Sequence, residues 1–245
     1  MFNRKPCIAS CGGSVMNTYL AADKGGYSAW KGFSSQTIYI ASRLITEKDR
    51  TKKYFPESVE DLKIADSNNS VVELVQVKNL TSDLSLSDLS PQKEGSFFKR
   101  ALDIRQQNEN LVVRLVSYGN IGPELISWSI EKGSELAEDR ITAKLISYGY
   151  THPDIKWLRE NILIEKKNEN HLEKLIFDEI KKDIEMAISP EIVFDILINY
   201  ISRLSRHQKS TSQPVWREKI RRVSLSLASV SGWKKSIRED DTSTI

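Results

Sequence analysis

EDLKIADSNNSVVELVQVK, residues 60–78, decides how the chain is read. Its centre, Ala65-Asp66-Ser67-Asn68-Asn69-Ser70, gathers residues whose side chains bond the local backbone and favour turns. Val71–Val77 is rich in β-branched side chains and predicts a strand; Tyr54–Ile64, interrupted by Pro56, predicts another. Together they predict a β-hairpin with a long loop. Side chains alternate across a strand, so Gln76 and Lys78 share one face, and Val75 and Val77 the other. Fourteen residues lie between Asp61 and Gln76, so a carboxylate on the first strand can lie beside the amide and the ammonium on the second.

Working outward, Trp30, Phe33, Ile38, Ile40, Ala41, Leu44 and Ile45 recur at helical spacing and predict an amphipathic helix over 28–47. Residues 1–27 hold Gly12-Gly13 and Gly25-Gly26 and show no period. After the hairpin, a Ser/Asp/Leu-rich loop over 81–91 leads into a helix over 92–108, with Phe97, Phe98, Ala101, Leu102 and Ile104 on one face. Leu111–Val116, apolar apart from Arg114, predicts a buried strand parallel to a neighbour. Helices follow near 122–132, 134–148, 152–160, 170–187, 189–206 and 214–237, with Ile162–Ile164 as a lone strand. The order predicts a mixed α/β (α+β) fold. Residues 1–120 form a helix-hairpin-helix-strand core and 121–245 a helical subdomain, the boundary falling where Gly119, Gly122, Pro123 and Gly133 cluster.

The 245 residues are 39% hydrophobic and 28% charged, which excludes a disordered chain. No apolar run approaches the roughly 18 residues of a membrane helix, and no signal peptide precedes the first charges, so a soluble, cytoplasmic protein is expected. Net charge is only +3, unevenly spread. The first 205 residues carry 27 basic and 29 acidic side chains, whereas Arg206–Arg238 holds nine basic and one acidic. That end predicts a helix whose stripe of Trp216, Ile220, Val223, Leu225 and Leu227 docks on the domain or on a partner. Its basic face (Arg217, Lys219, Arg221, Arg222, Lys234 and Lys235) is then free for a phosphate backbone. The polar tail ending at Ile245 leaves open whether the reading frame continues.

Several chemistries are disfavoured. Cys7 and Cys11 lie far from His152, His171 and His207, which themselves lie far apart, so a four-ligand zinc site is not expected. No phosphate loop of the Gly-Lys-Ser/Thr type is present. Trp128, Trp157, Trp216 and Trp233 sit among apolar neighbours and are expected in the core or an interface. The hairpin is the informative element. Mg²⁺ takes hard oxygen ligands, and Asp61, the Gln76 amide and the Val77 main-chain carbonyl could supply them, with Lys78 placed to stabilise developing negative charge. The same pattern also describes an ordinary surface ion pair.

Gly25-Gly26, Gly32-Phe33-Ser34-Ser35-Gln36, Glu60-Asp61-Leu62 and Gln76-Val77-Lys78, in that order, resemble the PD-(D/E)XK restriction-endonuclease-like superfamily. Gln takes the place of the second acid in this variant. More narrowly, the set resembles the double-stranded DNA endonuclease domain of bacterial anti-phage Cap-type effectors, also found in antiviral STAND ATPases and beside HerA-type ATPases. The resemblance covers about residues 24–118. Ser35 stands where that family often has Tyr. It implies a metal-dependent double-stranded DNA endonuclease using Mg²⁺ (Mn²⁺ substituting), with Asp61 on the metal, Gln76 holding the metal or the water, Lys78 catalytic and Gln36 at the scissile phosphate or the metal shell. It also implies a homo-oligomer controlled by a fused or separate sensor or ATPase. An inactive module that binds DNA or serves assembly is the alternative. Glu60 and Glu73 are expected to point away from the site, Glu73 into solvent, and Lys93, Lys99 and Arg100 are candidates for DNA phosphates.

Overall fold

Pro56 cannot donate to a sheet ladder, and it ends the first strand earlier than the sequence pattern suggests. In the computed structural model, which describes residues 31–58, 60–89, 96–106, 108, 110–129, 135–182, 188–223 and 226, Tyr54–Ile64 is two strands and a tight turn. β1 (Lys53–Pro56) and β2 (Leu62–Ala65) pair antiparallel, Tyr54 opposite Ile64. Between them Glu57 takes a left-handed backbone, φ 50°, and its N–H donates to the Asp61 carbonyl at 3.0 Å. β3 (Val71–Lys78) continues the antiparallel meander and is the expected second hairpin strand. Asp66 builds the intervening turn, accepting from the N–H groups of Asn68 and Ser70 at 2.9 Å.

The sheet then changes sense. β4 (Val112–Ser117) runs parallel to β3, as its continuous apolar pattern predicts. β5 (Ile162–Lys166), expected to stand alone, pairs parallel with β4 and completes a five-stranded sheet in sequential order. The C-terminal ends of the three parallel strands lie in register at Lys78, Ser117 and Lys166.

Helices cover both faces. α1 (residues 31–46) packs with α6 (Glu169–Lys182), α7 (Pro190–His207) and α8 (residues 213–223) around Val75, Val77 and Val116. α2 (Phe97–Arg105), α3 (Pro123–Ser129), α4 (Glu135–Ser147) and α5 (His152–Asn161) pack on the other face around Leu74, Val113 and Leu115. The alternation of Leu74 and Val75 thus feeds two cores, and each draws on residues before and after 120. Fully burying each such side chain contributes about 1.5–3 kcal/mol.

Local chemistry sets the element ends. The Ser96 hydroxyl accepts from the Lys99 N–H at 3.3 Å and caps α2; residues 92–95 of the expected helix lie outside the described residues. Thr151 and Asp154 form a capping box at the start of α5. Gly119 and Gly122 admit the 80–84 loop: a Cβ would meet Leu80 O at 2.7 Å and Leu84 O at 2.8 Å. Trp216 and Ile220 of α8 are buried in the core, Trp216 stacked on Tyr200, as the docking stripe predicts. Leu225 and Leu227, the motif Gly25-Gly26, Cys7 and Cys11, Lys93, Trp233, Lys234 and Lys235 lie outside the described residues.

Candidate functional site

Because β2 starts only at Leu62, Glu60 and Asp61 sit in the turn before it, and strand alternation does not govern where they point. Asp61 lies where β2 has given out beside β3. Its carboxylate takes the place of the missing ladder partner: Oδ2 accepts from the Val77 N–H at 2.6 Å and from the Gln76 side-chain amide at 2.5 Å. Gln36 of α1 and the Lys78 ammonium both lie near enough to Asp61 to favour its charged form. Asp61, Gln76 and Lys78 therefore lie together, as the spacing predicts, and Gln36, implied by the resemblance alone, lies near them. Burial pushes the Asp61 carboxyl above its usual range, against those four favourable contacts.

Glu60, expected on the opposite face, is drawn into this group. It is buried, and Arg100 of α2 grips both its oxygens, one through Nε and the other through a terminal nitrogen at 2.8 Å. The same nitrogen of Arg100 donates to Gln76 Oε1 at 3.3 Å. Arg100 is thus held by protein acceptors, while Lys99 beside it is exposed. Burial raises Glu60, and Arg100 is the principal opposing influence. Ser35, in the position before Gln36, ties α1 to the strand ends. Its hydroxyl accepts from the Asn79 amide at 2.6 Å and its carbonyl from the Tyr118 hydroxyl at 3.0 Å.

Glu73 is not in solvent. It is buried beneath α1, where the Arg43 guanidinium donates to its two oxygens at 2.8 and 2.9 Å and Arg114 Nε at 2.6 Å. Arg114 also pairs with Glu165, and Arg43 with the Tyr39 hydroxyl at 3.1 Å. Burial alone raises Glu73, but the two arginines outweigh it and hold the carboxyl below its usual range. Glu73, charged within the apolar stretch Val71–Val75, together with Arg114 in β4, was the signal for this cluster.

Glu57 was missed altogether. Its side chain lines an open cleft of about 540 Å³ with Gly32, Phe33 and Gln36 of α1 and Ser202 and Arg206 of α7. Burial, and then the neighbouring Asp61 charge, push Glu57 above the usual carboxylate range. The signal for it was Glu directly after Pro56, where a turn had to form.

Among the described residues no three His, Cys, Asp or Glu side chains cluster to hold a metal ion. The oxygen donors beside Asp61 nevertheless suit Mg²⁺, which binds through one or two carboxylates, retains several waters and takes up phosphate oxygens. N–H and C=O of one strand residue point to the same side, so the Val77 carbonyl faces the Asp61 side. Gln76 would have to turn its amide to join as a ligand, because its oxygen now meets Arg100. His152, His171 and His207 are exposed on their helices. Of the basic residues on α8, Arg221 and Arg222 are paired with Glu218, and Lys219 lies over the Tyr200 ring.

No family model matches the sequence, and no curated protein sequence matches it. Solved structures share the fold. The Acinetobacter baumannii Cap4 SAVED/CARF-domain containing receptor with the cyclic trinucleotide 3'3'3'-cAAA superposes with a TM-score of 0.53 at 13% identity, over 76% of this chain and 43% of the receptor. The same receptor with 2'3'3'-cAAA gives 0.53 at 14% identity over the same shares. The chain spans less than half the length of these receptors, and at this identity the likeness is one of fold. The finding corrects the reading made from the sequence motifs. Those neighbours are named as SAVED/CARF receptors of cyclic trinucleotides, a sensor type, and not as PD-(D/E)XK nucleases. The family assignment and the double-stranded DNA endonuclease effector function attached to it are set aside, and with them double-stranded DNA as the partner. The description that stands is a mixed α/β fold shared with part of a cyclic-trinucleotide receptor, carrying an Asp61-centred polar site at the end of its parallel strands.

Proposed function

We propose that the chain serves an anti-phage system responding to cyclic oligonucleotides, and that its Asp61 site binds and hydrolyses a phosphodiester with Mg²⁺, for which Mn²⁺ substitutes. The convergence of Gln36, Asp61, Gln76 and Lys78 at the end of β3 carries this reading. The position is apt, because ligands of α/β sheets gather at the carboxyl ends of parallel strands. The shared fold with receptors of cyclic trinucleotides supports a phosphodiester-linked ligand. Among the described residues no helix is long and apolar enough to cross a membrane, and on this reading the protein works in the cytoplasm.

Asp61 and the Val77 carbonyl would hold the cation, with Gln36 and Gln76 fixing the carboxylate. When bound, Mg²⁺ supplies Lewis-acid polarisation of a phosphate oxygen and a more acidic bound water. Lys78 would neutralise the charge that builds on the phosphate oxygens as water oxygen attacks phosphorus and the ester P–O bond breaks. Arg100 keeps Gln76 in place and is itself held by Glu60, so both are positioning residues.

Incubation of 3'3'3'-cAAA with the full chain and Mg²⁺ or Mn²⁺, followed by mass spectrometry, tests the reading. A linear triadenylate is the expected product, absent with EDTA and lost in Lys78→Met and Asp61→Asn. An intact ring with the wild type, or equal cleavage by both variants, contradicts it.

A further inference from the structure

The open cleft of about 540 Å³ between α1, the β1–β2 turn and the end of α7 adjoins the Asp61 site, because Glu57 lines the cleft and its backbone N–H donates to the Asp61 carbonyl at 3.0 Å. Its volume falls within the range of small-ligand pockets, roughly 300–1,000 Å³. Its charges are ordered. Glu57 lies next to Asp61 and makes that end acidic, where the proposed cation would meet the first phosphate. Arg206, in the last turn of α7, is exposed and pairs with no acid among the described residues. A guanidinium in that state can take a phosphate through two parallel hydrogen bonds. Phe33 also lines the cleft, and an added Cβ at Gly32 would meet nothing within 4 Å, so the wall there is open. Nucleobases stack on aromatic side chains.

We infer that this cleft seats the nucleoside and second phosphate of a linear or cyclic oligonucleotide whose first phosphate lies at Asp61 and Lys78, with Arg206 pairing the second phosphate. The inference rests on the phosphodiester reading above and adds to it the length and register of the ligand. Arg206 is then the residue that separates an oligonucleotide from a mononucleotide. Phe33 and the open wall at Gly32 accommodate the base.

Fluorescence anisotropy of labelled triadenylate, with adenosine monophosphate as competitor, tests this on the full chain in Ca²⁺. Arg206→Glu is expected to weaken triadenylate by about tenfold or more and to reduce its salt slope by about one, with adenosine monophosphate unchanged. Gly32→Phe, which fills the cleft from a half-buried position where an added Cβ meets nothing within 4 Å, is expected to act likewise on triadenylate while the melting temperature holds. Wild-type affinity for triadenylate in both variants overturns the inference, as does an equal loss for adenosine monophosphate. Failure of the wild type to bind either ligand overturns instead the phosphodiester reading beneath it.

Discussion

Glu73→Gln removes one charge and no volume from the cluster beneath α1, and its cost follows from what is left behind. Arg43 and Arg114 keep only 23% and 15% of their side-chain surface exposed. Breaking a buried ion pair by deleting one partner costs about 3–5 kcal/mol, because the other charge stays buried. Here the Tyr39 hydroxyl still faces Arg43 and Glu165 still faces Arg114, which points to the lower end, about 3 kcal/mol. For a chain of this length that is a fall in Tm of roughly 6–12 °C. The pH dependence gives a second signature. Glu73 is held below the usual carboxylate range in the fold, so its contribution is complete above the unfolded value of about 4.3 and is lost as pH falls through the folded value. Calorimetric melts of wild type and variant across the acid range should therefore differ widely at neutral pH and converge only as pH falls below the unfolded value and through the lower folded one. A Tm change under about 2 °C, or a gap that does not vary with pH, refutes a buried charge cluster.

Arg100→Met leaves Glu60 buried without its cation, so burial raises that carboxyl further; the variant should lose more stability at pH 8 than at pH 5, as read by urea titration at both values. A constant difference contradicts the pairing. Gly119→Ala drives a methyl against the Leu80 carbonyl at 2.7 Å and should cost about 1–3 kcal/mol by the same titration, since the facing loop has to move. Ser96→Ala removes the cap of α2 and should cost about 1 kcal/mol, visible as earlier exchange of the Lys99 and Arg100 amides.

Most of the frame was legible because hydrophobic period and turn chemistry agree locally. β3, the turn at Asp66 and buried parallel β4 follow from β-branched runs and Asx chemistry. The Pro56 turn was read only as an interruption, because one proline does not say whether a strand bends or ends. β5 needed a partner strand, β4, some fifty residues away, which no local pattern encodes. The candidate site was legible in its β3 half, where alternation fixes which residues share a face. It was not legible at Glu57 and Glu60, which lie in a turn, nor at Glu73, whose burial depends on arginines from α1 and β4. The nuclease reading went further than those residues carry: Asp61, Gln76 and Lys78 define a polar cluster and not the ligand it takes.

Titration of Mn²⁺, followed by electron paramagnetic resonance of the free ion, into wild type and Asp61→Asn tests the central claim that Asp61 anchors a divalent-cation site at the end of β3. The account predicts one bound Mn²⁺ per chain, competed by Mg²⁺ and lost in the variant. Equal Mn²⁺ binding by both proteins, or none by the wild type, contradicts it.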